Sequence, residues 1–176
     1  LVEGCKMLEK NGCKFIVMPC NTAHYWYDDL QKKIKIPILS MPKEVYVNIQ
    51  KTSKKNSRIG ILSTEATLNT KIYHKYFQKS FDLLSPSKIL QKTSGNKSIK
   101  FVKMGKIREA EKAIRPAVNY LIKINCKKII LGCTELPIAI FAYKSFKQIK
   151  ESKIFVDPNL LIANVSMKKY KKLKKQ

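Results

Sequence analysis

A cysteine lies where an apolar, strand-forming run gives way to polar residues typical of a helix N-terminus. The run covers residues 15–19 (FIVMP), and Cys20 is followed by Asn21 and Thr22. This order predicts a buried parallel strand that leads into a helix, with the thiol at the junction. Backbone N–H groups at such a junction favour negative charge, so we expect the pKa of the thiol to lie below about 8.5. The alternative is a small buried cysteine that closes a strand.

The same order of residue types occurs again later in the chain. Residues 127–131 (KKIIL) precede Gly132 and Cys133, and Thr134 and Glu135 follow. An amphipathic segment comes before the strand in both copies, so helix, strand, cysteine and helix N-terminus recur in one order. The repetition predicts two similar lobes that face each other, each of which presents a thiol.

Two thiols that face one cleft have a particular chemistry. One thiolate removes a proton from carbon, and the opposing thiol returns a proton to the other face, so a stereocentre is inverted. The pair needs one thiolate and one thiol at a time, each with a pKa near the working pH. Asn21, Thr22 and Thr134, together with the helix N-termini, are suited to hold the substrate's carboxylate and the negative charge that develops on it.

Strand and helix patterns alternate along the chain, which predicts an α/β fold with parallel sheets. The strongest strand pattern covers residues 58–64, whereas residues 92–100 have the composition of a loop. A long helix is expected over residues 109–123, with a bend at Pro116. Other helices are expected over residues 1–10, 22–33, 41–51, from 65 to 77, and from 159 onward.

Ligands of open parallel sheets bind outside the carboxyl ends of the strands. The predicted strands place Cys20, Thr64, Cys133 and Asp157 at such ends. These side chains are therefore expected around one binding cleft.

The net charge of +24 arises from 36 lysine and arginine residues against 12 acidic ones. The excess is mostly lysine and is spread along the chain, and only residues 168–175 form a dense basic run. Because neither aromatic interleaving nor a zinc-finger spacing accompanies the charge, we expect a solvated surface and no specific nucleic-acid site. Binding of nucleic acid by charge alone stays open as an alternative.

Five cysteines without a visible secretory signal favour free thiols in a reducing compartment, and hence the cytoplasm. No apolar run approaches the length of a membrane-spanning helix, so none is expected. Cys13 and Cys20 bracket one strand at a separation of roughly 20 Å, which excludes a shared zinc ion. We expect no metal and no cofactor.

The two cysteine motifs, residues 18–24 (MPCNTAH) and 131–137 (LGCTELP), resemble those of the aspartate/glutamate racemase family, within the Asp/Glu/hydantoin racemase superfamily. Residues 60–64 and 156–158 agree with supporting positions. The resemblance implies two pseudo-symmetric lobes with the active site in the cleft between them. It also implies racemisation of aspartate, or of glutamate, by two cysteines without pyridoxal phosphate, and a homodimer.

By motif position, Cys20 and Cys133 correspond to the two acid/base residues of that family. Asn21, Thr22 and Thr134 correspond to residues that contact the substrate. Within the wider superfamily, a hydantoin racemase and a maleate isomerase remain alternatives, as does an inactive homologue. His24 lies in the first motif, and we expect it to cap or pack and not to carry protons.

Glu135 and Lys103 are also expected to bind the substrate. Glu135 fits the aspartate-type members, and Lys103 lies where a basic residue can meet a dicarboxylate. The resemblance assigns residues 1–40 and 147–176 to the first lobe and residues 41–146 to the second. Family members begin with a glycine-rich strand, a helix and a second strand, and in aspartate racemases this part carries an arginine. That part has no counterpart here, so we expect the first lobe to lack its N-terminal portion.

Overall fold

A computed structural model describes residues 1–142, 146 and 153–175. The strands are β1 (Ile16–Val17), β2 (Ile38–Leu39), β3 (Arg58–Ser63), β4 (Asp82–Leu84), β5 (Lys128–Gly132) and β6 (Phe155–Val156). The α-helices are α1 (Val2–Lys10), α2 (Tyr27–Gln31), α3 (Met41–Thr52), α4 (Glu65–Asn69), α5 (His74–Phe77), α6 (Lys88–Leu90), α7 (Lys97–Lys103), α8 (Ile107–Lys123), α9 (Leu136–Phe141) and α10 (Pro158–Leu173). A 3₁₀ helix covers Thr22–Trp26 and a π-helix covers Gln91–Asn96. No helix among these residues is both long and apolar enough to cross a membrane.

The strands form two sheets, and every described strand pair is parallel. Four strands lie in the order β4-β3-β5-β6, while β1 and β2 form a separate pair. In the larger sheet Ser63 of β3 is the register partner of Gly132 of β5, so these two strands end side by side. The predicted α/β fold with parallel sheets is thus confirmed.

Side chains of β3 and β5 alternate between two apolar layers, as the two-residue period of a strand requires. Leu62 and Leu131 point to the layer built with α8. Ile61 and Ile130 point to the opposite layer, built with α3 and α5. All four side chains are at most 1% exposed, so helices cover the larger sheet on both faces.

The smaller sheet has its own apolar core, in which Ile16 of β1 and Ile38 of β2 pack with Leu30 of α2 and Cys5 of α1. The division into two lobes remains a prediction. Of the residues assigned to the first lobe, the strand β6 pairs with β5 of the larger sheet, and α10 packs on α3.

Three expected elements differ from the structure. Residues 92–100, expected as a loop, are helical, because the π-helix runs into α7. The helix expected over residues 22–33 begins as a 3₁₀ helix and ends at Gln31. The helix expected from residue 65 to 77 is divided into α4 and α5, with Lys71 between them at a φ of 53°.

Two hydrogen bonds of Ser94 attach the π-helix to α8. Its hydroxyl donates to the carbonyl of Ala113 at 2.5 Å and accepts from the N–H of Ala117 at 3.2 Å. Both groups belong to α8 and flank Pro116, which cannot donate to the helix ladder. A hydroxyl of the π-helix therefore enters the hydrogen-bond ladder of α8 beside the proline.

Candidate active site

The carboxyl ends of β3 and β5 form the edge on which the candidate site is built. Ser63 and Gly132 are paired in register, so the next residues, Thr64 and Cys133, leave the sheet beside each other. This is the edge at which open parallel sheets bind their ligands.

Three threonine hydroxyls join the first cysteine segment to this edge. Thr22 Oγ1 lies 2.8 Å from Thr67 Oγ1 and 3.3 Å from Thr64 Oγ1. Thr64 also caps α4 by accepting from the N–H of Thr67 at 3.2 Å. Because Thr22 lies two residues after Cys20, these contacts bring the segment of the first cysteine against the end of β3.

Asn21 makes a second link between the same parts of the chain. The hydroxyl of Tyr73 donates to Asn21 Oδ1 at 2.5 Å, and both side chains are buried. Burial raises the pKa of Tyr73, and the nearby carboxylate of Asp157 raises it further, so the phenol stays protonated and donates. Asn21 Nδ2 is also buried, and it has no hydrogen-bond partner among the residues that the structure describes.

His24 fixes the backbone at the first cysteine. The backbone N–H of Met41 donates to His24 Nε2 at 3.1 Å, so Nδ1 carries the proton and donates to the carbonyl of Cys20 at 2.8 Å. Burial lowers the pKa of His24, which favours this neutral form. Both ring nitrogens are thus engaged with backbone groups, as expected for a histidine that packs and does not carry protons.

The second cysteine lies in a cluster centred on a carboxylate. Cys133 Sγ donates to Glu135 Oε2 at 2.9 Å, and Thr134 Oγ1 donates to the same oxygen at 2.8 Å. Lys103 Nζ lies 3.6 Å from Glu135 Oε1. One carboxylate therefore holds the thiol, a hydroxyl and an ammonium group together.

This cluster holds Cys133 in its protonated form. Burial raises the pKa of Cys133 to about 12, and the hydrogen bond to Glu135 and its negative charge add to the effect. Burial alone would raise the pKa of Glu135, but hydrogen bonds from Cys133 and Thr134 outweigh it and lower the pKa. The expectation of a pKa near the working pH is therefore wrong for Cys133, because the helix N-terminus is outweighed by burial and by the adjacent carboxylate.

The predicted residues thus form two groups of contacts. Asn21 and Thr22 belong with the threonine and tyrosine side chains of the α4–α5 region, whereas Lys103, Thr134 and Glu135 belong with Cys133. Thr64 of the first group and Cys133 of the second follow the paired strand ends Ser63 and Gly132. Cys20 is exposed and Cys133 is buried. Opposition of their sulfur atoms across a cleft stays a prediction.

The sequence analysis did not identify Thr67 or Tyr73 as part of the site. The sequence contained a weak indication that Thr67 belongs to the site, since a residue three positions after Thr64 lies on the same face of a helix. Tyr73 had none, because its contact with Asn21 joins residues that are distant in sequence.

Comparisons with known proteins agree with the motifs and with the fold. The family described as Asp/Glu/Hydantoin racemase matches residues 1–164. The broad specificity amino-acid racemase RacX of Bacillus subtilis (strain 168) is 37% identical over 75 residues, which cover 43% of this chain and 32% of RacX. A glutamate racemase of Corynebacterium glutamicum is 27% identical over 135 residues, which cover 74% of this chain and 47% of that enzyme.

Solved structures of an aspartate racemase and of an aspartate racemase homologue are similar to this chain in fold. The aspartate racemase of Picrophilus torridus has a TM-score of 0.71 and 28% identity, with 93% of this chain and 67% of that chain covered. An aspartate racemase homologue from Pyrococcus horikoshii OT3 has a TM-score of 0.68 and 26% identity, with 80% and 62% covered. The chain thus spans less than half the length of the first two curated relatives and about two thirds of these solved chains.

Proposed function

Because the chain belongs to the Asp/Glu/hydantoin racemase family, we propose that it interconverts L- and D-aspartate, or the glutamate enantiomers, without a cofactor. One observation carries the proposal. The contacts of Thr22 with Thr64 and Thr67 hold the first cysteine segment at the end of β3, and β5 ends beside it at Cys133. Two thiols are thereby assigned to one edge of the larger sheet.

Each sulfur acts on one face of the substrate's α-carbon in this proposal. For one direction, the Cys20 thiolate takes the α-proton, and the Cys133 thiol gives its proton to the opposite face. The roles are exchanged in the reverse direction. Cys133 has its proton ready for donation, since Glu135 accepts its hydrogen bond at 2.9 Å. When Cys133 returns as a thiolate, the negative charge of Glu135 makes it a strong base.

Binding of the substrate is assigned to polar groups at the same edge. Asn21, Thr22 and Thr134 hold the α-carboxylate, and the buried Nδ2 of Asn21 supplies a donor that has no partner among the described residues. Lys103 is about two thirds exposed and binds the side-chain carboxylate of a dicarboxylic amino acid. Glu135, its present ion-pair partner, keeps contact with Cys133.

The reaction is tested by dissolving the purified chain in D₂O with L-aspartate, without added cofactor. We expect incorporation of deuterium at the α-carbon together with formation of D-aspartate, followed by NMR and chiral chromatography. Loss of either thiol, in Cys20→Ala or Cys133→Ala, removes an acid/base group, so inversion should slow by about 10²–10⁴-fold.

Cys13→Ala is the matched control, because it removes a partly exposed thiol outside the proposed site and should leave the rate unchanged. Equal rates in all three variants would contradict the two-thiol mechanism.

A panel of substrates tests the specificity. RacX is called a broad specificity racemase, so glutamate, neutral amino acids, a hydantoin and maleate belong in this panel. Preference for the hydantoin or for maleate would replace the proposal by another activity of the superfamily.

Assembly is part of the same proposal. We assign residues 1–40 and 147–176 to one lobe and residues 41–146 to the other, with the substrate between them, and the active species is a homodimer. Light scattering on the eluted protein, with activity measured in each fraction, tests whether the dimer is the active form.

A further inference from the structure

The helix α10 is packed against the protein on one side and open on the other. Ile162 is buried, and Leu161 packs against the apolar layer that α3 and α5 build on the larger sheet. Farther along the helix, Lys169 Nζ lies 5.9 Å from the centroid of the Phe15 ring. These contacts fix the orientation of α10, so the residues on its opposite side form an outer face.

The outer face of α10 carries large apolar side chains. Leu160 is 61% exposed, Met167 is 54% exposed and Tyr170 is 45% exposed. Leu160 and Met167 are seven residues apart, which places them on one line, about 10 Å from each other along the helix axis. Tyr170 follows Met167 by one turn. Single apolar side chains are common on protein surfaces, whereas a line of them on an open helix face indicates a contact surface.

A dense group of lysines shares this face. Residues 158–175 include no acidic residue and six lysines, and the exposed ones are Lys168, Lys171, Lys172, Lys174 and Lys175. Lys171 lies one turn beyond Met167 on the same line. Among the residues that the structure describes, none of these lysines forms an ion pair. Apolar surface and positive charge therefore occur side by side on the outer face.

Stabilisation of α10 itself explains only part of this pattern. Lysines in the last turn of a helix interact favourably with the negative end of its dipole, as Lys171 and Lys172 do here. Lys168 precedes that turn, and the dipole gives no reason for Leu160 and Met167 to be apolar. The solvated surface expected for residues 168–175 from their charge does not account for these two side chains either.

The combination of groups distinguishes two kinds of partner that are rich in phosphate. Nucleic acids and anionic membranes both attract lysine. A nucleic acid, however, has no apolar phase to receive Leu160 and Met167. A lipid surface has one, since the apolar side chains of a basic interfacial helix enter the boundary between headgroups and acyl chains. Tyr170 suits the same boundary, where its ring is buried and its hydroxyl stays hydrated.

We propose that α10 binds to the surface of a membrane that contains anionic phospholipids. Leu160, Met167 and Tyr170 enter the headgroup boundary, and the exposed lysines contact the lipid phosphates. The helix lies along the surface and does not span the bilayer. The contact is separate from the proposed racemase reaction, whose thiols are assigned to the ends of the strands.

Sedimentation with vesicles tests this contact. The chain is mixed with vesicles of phosphatidylcholine alone, or of phosphatidylcholine and phosphatidylglycerol, and the bound fraction is measured against lipid concentration in about 0.1 M NaCl. We expect saturable binding to the mixed vesicles. Binding to the neutral vesicles should be weaker by about tenfold or more, because the attraction of the lysines is lost.

Two pairs of lysine variants remove the same charge from different helices. Lys168→Gln/Lys171→Gln should weaken binding to the mixed vesicles by about thirtyfold, since each lysine near an anionic surface adds to the attraction. Lys112→Gln/Lys123→Gln is the matched control, because both lysines are exposed on α8, which covers the opposite face of the larger sheet. This control should bind as the parent chain does.

A second set of variants tests the apolar part of the face. Leu160→Gln/Met167→Gln should weaken binding to the mixed vesicles by about tenfold or more, since less apolar surface leaves water. Ile89→Gln/Met104→Gln replaces two exposed apolar side chains of other elements and should bind unchanged. All four side chains are exposed, so circular dichroism should show the parent's helix content in both variants.

Three results would overturn the proposal: equal binding to neutral and mixed vesicles, equal losses in the α10 and α8 lysine variants, or undiminished binding of Leu160→Gln/Met167→Gln. The last result, together with tight binding of duplex DNA, would assign the lysines to nucleic acid. Deuterium exchange of aspartate is measured without vesicles, so failure of the racemase reaction is a separate result.

Discussion

At the scale of single residues, Glu135 adds to burial in keeping the second thiol protonated. Its carboxylate accepts from Cys133 at 2.9 Å, and burial together with this contact raises the pKa of the thiol to about 12. The neighbour that keeps the proton on sulfur is thus also the group that strengthens the thiolate as a base. Such an arrangement suits a residue that donates a proton first.

The change Glu135→Gln tests this assignment. It removes the negative charge that disfavours the thiolate, so the pKa of Cys133 should fall, while burial keeps it above the value of a free cysteine. Alkylation of Cys133 by iodoacetamide, measured against pH by mass spectrometry of its peptide, should therefore begin at lower pH. Glu109→Gln removes an exposed carboxylate elsewhere and serves as the control. A profile that does not move would show that Glu135 leaves the thiol unaffected.

At the scale of elements, β3 and α8 are packed without spare room. A Cβ on Gly60 would lie 2.8 Å from Cδ1 of Leu121. Gly60 is buried in β3, and Leu121 belongs to the apolar layer between the sheet and α8. Leu121 is fully buried, so it cannot move aside without disturbing its neighbours. The absence of a side chain at Gly60 therefore sets the distance between strand and helix.

We predict that Gly60→Ala lowers the free energy of unfolding by about 1–3 kcal/mol, because overpacking forces side chains or backbone to shift. Gly4→Ala is the matched control, since nothing lies within 4 Å of its Cβ and alanine favours the helix α1 by up to about 1 kcal/mol. Urea unfolding followed by circular dichroism measures both. Equal stability of Gly60→Ala and the parent chain would mean that α8 can move away from β3.

Much of the arrangement of strands was predictable from the sequence, whereas one helix was not. Apolar runs of β-branched residues predicted the strands β3 and β5 and a parallel sheet, although not which strands pair, and both cysteines were expected at strand ends. The π-helix was not predictable, because its serine, glycine and asparagine favour loops in isolation. Its order depends on Ser94 reaching α8 and on Gln91 reaching Ser63, and neither contact has a local pattern. Likewise, the thiol of Cys133 responds to burial that a strand-end position alone does not reveal.

At the scale of the whole molecule, 36 basic residues face only 12 acidic ones. Mutual repulsion of like charges opposes a compact state, and dissolved salt screens it over distances of about 10 Å at 0.1 M. An ion pair whose partners are both exposed, such as that of Arg58 with Asp82, offsets little of this repulsion.

We predict that the thermal unfolding midpoint rises when NaCl is increased from low concentration to about 0.3 M, because salt shortens the distance over which the surface charges repel each other. Lys54→Glu/Lys55→Glu lowers the net charge from +24 by four, and it should unfold at a higher temperature in low salt and respond less to added salt. Scanning calorimetry gives both midpoints. A midpoint that falls with salt would show that attractive pairs outweigh the repulsion.

The single tryptophan of the chain gives the first cysteine segment an optical reporter. Trp26 ends the 3₁₀ helix that begins at Thr22, its side chain is about half exposed, and Tyr25 packs edge-on against it. Intrinsic indole fluorescence excited at long wavelength therefore comes from this one segment. A spectral shift or quenching during titration with an amino acid would report a change around Cys20, with no label attached to the protein.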